Sequence, residues 1–76
     1  MRKFFVIKAF NPESLKWAYL KRIGESSATF NEDVRLAIFY HDAVHAGKIL
    51  EMINSIEESQ KLEGRYYAIE EIYRKF

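Results

Sequence analysis

The sequence predicts a small α+β domain: an antiparallel sheet of three to four strands, arranged ββ-turn-αβ, with one main helix packed on one face. Three observations predict it. A β-branched and aromatic segment runs from Lys3 to Phe10 and stops at Asn11-Pro12; a stripe of Ala46, Ile49, Leu50, Ile53 and Ile56 repeats at helical spacing; and the final segment, Arg65 to Phe76, contains the strand-favouring pair Tyr66-Tyr67. A chain of 76 residues has surface enough for one core, so residues 1–76 are read as a single domain.

Strand one, Lys3 to Phe10, is apolar on both faces, with Phe5, Ile7 and Ala9 on one and Phe4, Val6 and Phe10 on the other, which places it at the centre of the sheet. Lys8 is the exception. Lys16 to Ile23 alternates Trp17, Tyr19 and Ile23 with Lys16, Ala18, Leu20 and Arg22, the pattern of a second strand with one wetter side, joined to the first as a hairpin. Gly24-Glu25-Ser26-Ser27 breaks it with turn formers. Asn31 before Glu32-Asp33 marks a helix start, since a side-chain oxygen there accepts from free amides and the acids meet the positive end of the dipole; one or two turns run to about Ala37.

Ile38-Phe39-Tyr40 lacks helical spacing and reads as a short third strand or a buried extended connector. Asp42 caps the main helix, which runs to about Ser59 or Gln60. Gly47 lies inside it, where glycine costs about 1 kcal/mol relative to alanine, and predicts close packing against a strand. After a polar link ending at Gly64, Arg65 to Phe76 fits a strand through Tyr67, Ile69 and Tyr73 and a helix through Ile69, Ile72, Tyr73 and Phe76. A strand is preferred, because a lone hairpin with one helix is marginally stable.

Composition narrows the functional classes. With 49% hydrophobic and 16% aromatic residues, the rings are assigned to the core first. The absence of cysteine excludes disulfides, zinc ribbons and thiol nucleophiles, and a cytoplasmic location is expected. The basic, apolar start resembles a secretion signal, but Lys8 ends the apolar run, and no stretch approaches the roughly 20 apolar residues of a membrane-spanning helix. No membrane partner is expected. Net charge is +1, too small to point to nucleic acid and too positive for a DNA mimic. Its distribution is uneven: residues 1–35 carry seven Lys/Arg against four acids, a net of +3, and the remainder nets −2.

Several segments carry a resemblance to a known group. Lys3-Phe4-Phe5-Val6-Ile7-Lys8, Tyr19-Leu20-Lys21, Phe30-Asn31-x-Asp33 followed by Ala37 and Tyr40, and Asp42 with Ala46 are similar to a family of short bacteriophage and mobile-element accessory proteins built as a hairpin, a capped turn, a helix and a final strand. The likeness runs over nearly the whole chain, and its positions are structural in character. Members include anti-CRISPR and other anti-defence proteins, so the resemblance implies a protein that binds and modulates or inhibits a host protein or complex. His41, His45 and the strongly aromatic last segment depart from the pattern.

Catalytic constellations are thin. His41-Asp42-Ala43-Val44-His45 sets two imidazoles four apart, but zinc hydrolysis of that type needs a glutamate base beside the first histidine and a third ligand, and Asp42 is already a cap. The serines, Ser14, Ser26, Ser27, Ser55 and Ser59, stand in turn or helix-surface contexts, and three scattered glycines make no phosphate loop. A non-enzymatic protein with no cofactor and no metal is therefore expected. Its partner-binding residues are expected on the hairpin: Lys16, Lys21 and Arg22, with Trp17 and Tyr19, docking a host protein. The alternative is a module for single-stranded nucleic acid that stacks bases on Phe4, Trp17, Tyr19, Tyr66 and Tyr67 beside Lys3, Lys8, Lys16, Lys21 and Arg65. It requires those rings to face solvent rather than the helix. Monomer and homodimer both stay open.

Overall fold

The structure, a computed structural model, describes residues 2–25, 27–60 and 66–74, with 57–60 described as helix backbone. Along the chain come β1 (Arg2–Asn11), β2 (Lys16–Ile23), β3 (Ala28–Asn31), a single 3-10 turn (Val34–Leu36), α1 (Ala43–Gln60) and β4 (Tyr66–Arg74). The strands form one antiparallel sheet in the order β3-β2-β1-β4, and α1 lies across one face. The molecule is accordingly thin, 15 Å along its shortest axis.

The expected α+β fold is present, with the final segment a strand. β1 is central because both of its faces are covered: Ile7 and Ala9 are buried on the helix side, and Phe4 and Val6 on the other. The helix-side core joins Ile7 and Leu20 to Tyr40, Ala46 and Ile53, with Phe5, Phe30, Ile49, Leu50, Tyr67 and Ile69 packed around them. Each such fully buried aliphatic side chain contributes about 1.5–3 kcal/mol.

The connections follow from local hydrogen bonds. Asn11 Oδ1 accepts from Glu13 N–H at 3.0 Å and Asn11 C=O from Leu15 N–H at 2.8 Å, closing the hairpin turn. That closure holds Leu15 at φ 59°, a left-handed conformation that costs a branched side chain roughly 1–2 kcal/mol. Gly24 N–H donates to Ser27 C=O at 2.8 Å, making the expected turn after β2. Asp42 Oδ1 accepts from Val44 N–H at 2.8 Å, so Asp42 caps α1 as its sequence position predicts.

Four expectations are corrected. Residues 28–31, assigned to no element beyond the cap expected at Asn31, form the edge strand β3, pairing Phe30 with Leu20 and Ala28 with Ile23. The cap of the short turn is Asp33, which accepts from Arg35 N–H at 2.9 Å; Asn31 ends β3 and braces the cap by accepting from Asp33 N–H at 2.8 Å. The alternation assumed for β2 fails at its end, because a bulge between Leu20 and Arg22 reverses the side-chain parity and turns Ile23 toward the core rather than beside Trp17 and Tyr19. Gly47 is not pressed against a strand, since a Cβ there would meet nothing within 4 Å.

Ile38-Phe39-Tyr40 is the extended segment that was expected, and it fills a gap. The pairing of β2 with β1 spans Lys8–Asn11 of β1, and beyond it Tyr40 exchanges two hydrogen bonds with Phe5, at 2.7 and 2.8 Å, while Ile38 N–H donates to Leu20 C=O at 2.9 Å. The segment thus wedges between the two diverging strands. The polar link ending at Gly64, Arg65, Lys75 and Phe76 lie outside the described residues.

Three substitutions test this packing by urea denaturation followed by circular dichroism. Gly47→Ala should raise the unfolding free energy by about 1 kcal/mol, because helix propensity improves with nothing to clash. Asp42→Ala should lower it by about 1 kcal/mol through loss of the cap. Ile53→Ala should lower it by about 3 kcal/mol, the cost of a core cavity.

Candidate interaction surface

Side chains alternate along each strand, so the register fixes what stands on the face that α1 leaves bare. Even-numbered residues of β1 and β4 point there, and β2 contributes Trp17 and Tyr19. At the hairpin end, Phe10 is flanked by Trp17 across β2 and Tyr66 across β4. The next row is Tyr19, Lys8 and Ala68, and the one after sets Glu70 beside Val6. At the far end Phe4 lies between His41 and Ile72.

The face divides into a closed zone and an open one. In the closed zone Phe39 and His41 pack on Phe4, with ring centroids 5.7 and 4.9 Å away, and the Arg74 guanidinium sits 5.0 Å from the Phe39 ring. These side chains roof Phe4, which is 4% exposed, and its neighbour Val6 is 0% exposed, with no second helix over them among the described residues. In the open zone Trp17 is tilted against Phe10 at 5.1 Å and remains 40% exposed, while Tyr66 is 69% exposed. Here the rings are accessible.

Lys8 links the two zones. Its Nζ lies 4.3 Å from the Trp17 ring centroid and 3.5 Å from Glu70 Oε2, an oxygen that is itself buried and takes no hydrogen bond. The ammonium is thereby held between a π face and a carboxylate, the former contact worth on the order of 0.5–1 kcal/mol. Burial, and secondarily the Glu70 charge, pushes the Tyr19 hydroxyl above its ordinary pKa; burial does the same to Tyr40.

The expected binding residues are not brought together. Trp17 and Tyr19 share the bare face, whereas Lys16 has the opposite parity, opposite Asn11, and pairs with Glu32 at 3.9 Å. Lys21 and Arg22 flank the bulge and are exposed. The ring list divides likewise: Phe4, Trp17, Tyr19 and Tyr66 face away from α1, and Tyr67 packs on Phe30 at 5.8 Å on the helix side. Phe10 and Phe39 belong to the surface and were not singled out as binding residues; the unbroken two-residue period of Phe4, Val6, Lys8 and Phe10 was the signal for the former.

Two other candidates are accounted for by structure. His41, before the helix, packs on Phe4 on the face away from α1, and His45, in the first turn of α1, packs edge-on to Tyr40 at 5.0 Å on the helix side, so the imidazoles do not converge. A cleft of about 520 Å³ opens over the small side chains of Ala9 and Ala18. Three of its polar lining residues are engaged locally, Asn11 and Asn31 by turn amides and Glu32 by Lys16.

No protein-family model, curated protein or solved structure matches this chain.

The tyrosine environments make a pH prediction. An acid whose folded pKa is raised stabilises the fold fully below its unfolded value, about 10 for tyrosine, and that contribution is lost as pH rises through the folded value. Stability should therefore fall as pH rises above about 10. Tyr19→Phe and Tyr40→Phe should each flatten that alkaline limb in denaturation series taken at successive pH values.

Proposed function

We propose that this chain is a non-catalytic binding module that docks a partner protein on the open zone of the sheet face opposite α1. The observation that carries this is the Trp17-Phe10-Tyr66 row, which stands on the face left bare by the helix and keeps Trp17 and Tyr66 accessible. Tryptophan and tyrosine dominate protein interfaces because they bury large areas at low entropic cost and are most effective near the centre of a contact. Lys21 and Arg22, exposed at the bulge beside this face, act as rim charges that steer association. The sequence resemblance to phage accessory proteins supplies the expectation that the partner belongs to a bacterial host and is modulated or inhibited by the contact.

Binding of single-stranded nucleic acid is the competing use of the same rings. Base stacking along a charged backbone needs cations interleaved with the rings. Here the nearest cation, Lys8, is paired with Glu70 and lies over the Trp17 ring, and the other described cations of the face, Arg2, Arg74 and, past the bulge, Arg22, stand away from the Trp17-Phe10-Tyr66 row. The protein partner is the better fit.

The test begins with affinity purification from bacterial lysate with and without nuclease, followed by affinity measurement on the recovered partner. Trp17→Ala/Tyr66→Ala should weaken binding at least tenfold, and Lys21→Glu/Arg22→Glu should chiefly slow association. Equal affinity of the ring variant, checked to be folded by its circular dichroism, would remove this face from consideration. Submicromolar binding to single-stranded RNA at physiological salt, abolished by Trp17→Ala, would return the assignment to nucleic acid.

A further inference from the structure

β4 is an edge strand of nine residues, Tyr66–Arg74, and its described stretch has no proline, bulge or lysine, the devices that usually stop edges from pairing. Which backbone groups it offers follows from β1. Phe5 exchanges both its hydrogen bonds with Tyr40, on the side away from β4, so its partner Glu71 turns its own N–H and C=O outward. By alternation Ile69 and Tyr73 do the same. Among the described residues no other strand pairs with this edge.

We propose that the occupant of this edge is the β4 strand of a second copy of the chain, paired antiparallel about a two-fold axis at Ile72. A two-fold axis pairs residues equidistant from its centre, and a ladder requires outward groups to meet outward groups, so the axis must pass through a residue and not between two. Five centres pair at least five described residues of the strand, namely Ala68, Ile69, Glu70, Glu71 and Ile72. Centres at Glu70 and Glu71 set a carboxylate against its own copy, which is destabilising. Centres at Ala68 and Ile69 leave Glu70 opposite Tyr66 or Ala68, with no cation facing it. The Ile72 centre stacks Ile72 on its copy, sets Glu71 opposite Tyr73, and sets Glu70 opposite Arg74 twice over.

Charge complementarity therefore selects one register. Glu70 and Arg74 both project on the face away from α1, so their pairing across the axis is on one side of the extended sheet. The result is a continuous sheet of eight strands from two copies of four. This pairing uses the edge and is independent of the docking face.

Sedimentation equilibrium on the full chain from micromolar to millimolar concentration tests it, together with amide hydrogen exchange. A monomer–dimer equilibrium is expected, with concentration-dependent protection at Glu71 and Tyr73. Tyr73→Pro should raise the dimer dissociation constant at least tenfold while keeping the β1–β4 ladder, because the lost N–H points outward. Glu70→Arg should do the same, and Glu70→Arg/Arg74→Glu should recover most of the association. A monomer throughout the range, a dimer unaffected by Tyr73→Pro, failure of the charge swap to recover association, or concentration-dependent protection reaching Tyr67 would each overturn the proposal.

Discussion

Everything in this fold depends on the burial of β1 on both faces with only one helix to cover them. The helix side is closed in the ordinary way, by an apolar stripe from α1 meeting Ile7, Leu20 and Ile69. The other side must be closed by the sheet's own side chains. Large planar rings and long aliphatic stems suit lying over a neighbour from within the same surface: Phe39 and His41 lie on Phe4, and Arg74 lies against Phe39. The 16% aromatic content reflects this demand as much as the demand of the main core.

The same constraint explains the wedge at residues 38–40. A twisted hairpin whose strands separate past Lys8 leaves the β1 backbone of Phe5 without a partner on one side, and a buried amide that lacks a hydrogen bond costs about 1–3 kcal/mol. Tyr40 supplies both bonds. Because the inserted segment is extended, its neighbours divide between the two layers: Ile38 and Tyr40 join the helix-side core, and Phe39 joins the roof over Phe4. The bulge at the end of β2 serves a related end, bringing Ile23 and its partner Ala28 over the core that a regular strand would have left behind.

Much of this was legible in the sequence and some was not, for identifiable reasons. The centrality of β1, the Asp42 cap, the extent of α1 and the strand character of Tyr66–Arg74 all follow from local patterns of period 2 or 3.6 and from capping chemistry. β3 was hidden because four residues, Ala28–Asn31, are too few to show a period and run straight into the capping signal at Asn31 and Asp33. The bulge has no sequence signature in Lys21-Arg22, so the sides of Arg22 and Ile23 could not be read by alternation, whereas alternation already separates Lys16 from Trp17. Gly47 misled because a helical glycine marks close approach only when a neighbour is there, which is a property of the packing and not of the residue.

The choice of partner class turns on how the bare face is charged, and that is decided by one triad. The four described strands hold Arg2, Lys3, Lys8, Lys16, Lys21, Arg22 and Arg74 against Glu70 and Glu71, so the sheet layer is basic. A basic sheet bearing aromatic rings is the general form of a base-stacking platform. Here, however, Glu70 stands next to Lys8 and Trp17 lies under its ammonium, so the one cation among the central rings is neutralised where a phosphate would have to sit. Displacing that carboxylate would leave the half-buried Lys8 charge without its partner, a cost that a phosphate contact worth little at physiological salt does not offset. A protein surface asks for no such rearrangement: it needs accessible apolar area at the centre and charge at the rim. The rings at the hairpin end and the cations at the bulge stand in that arrangement.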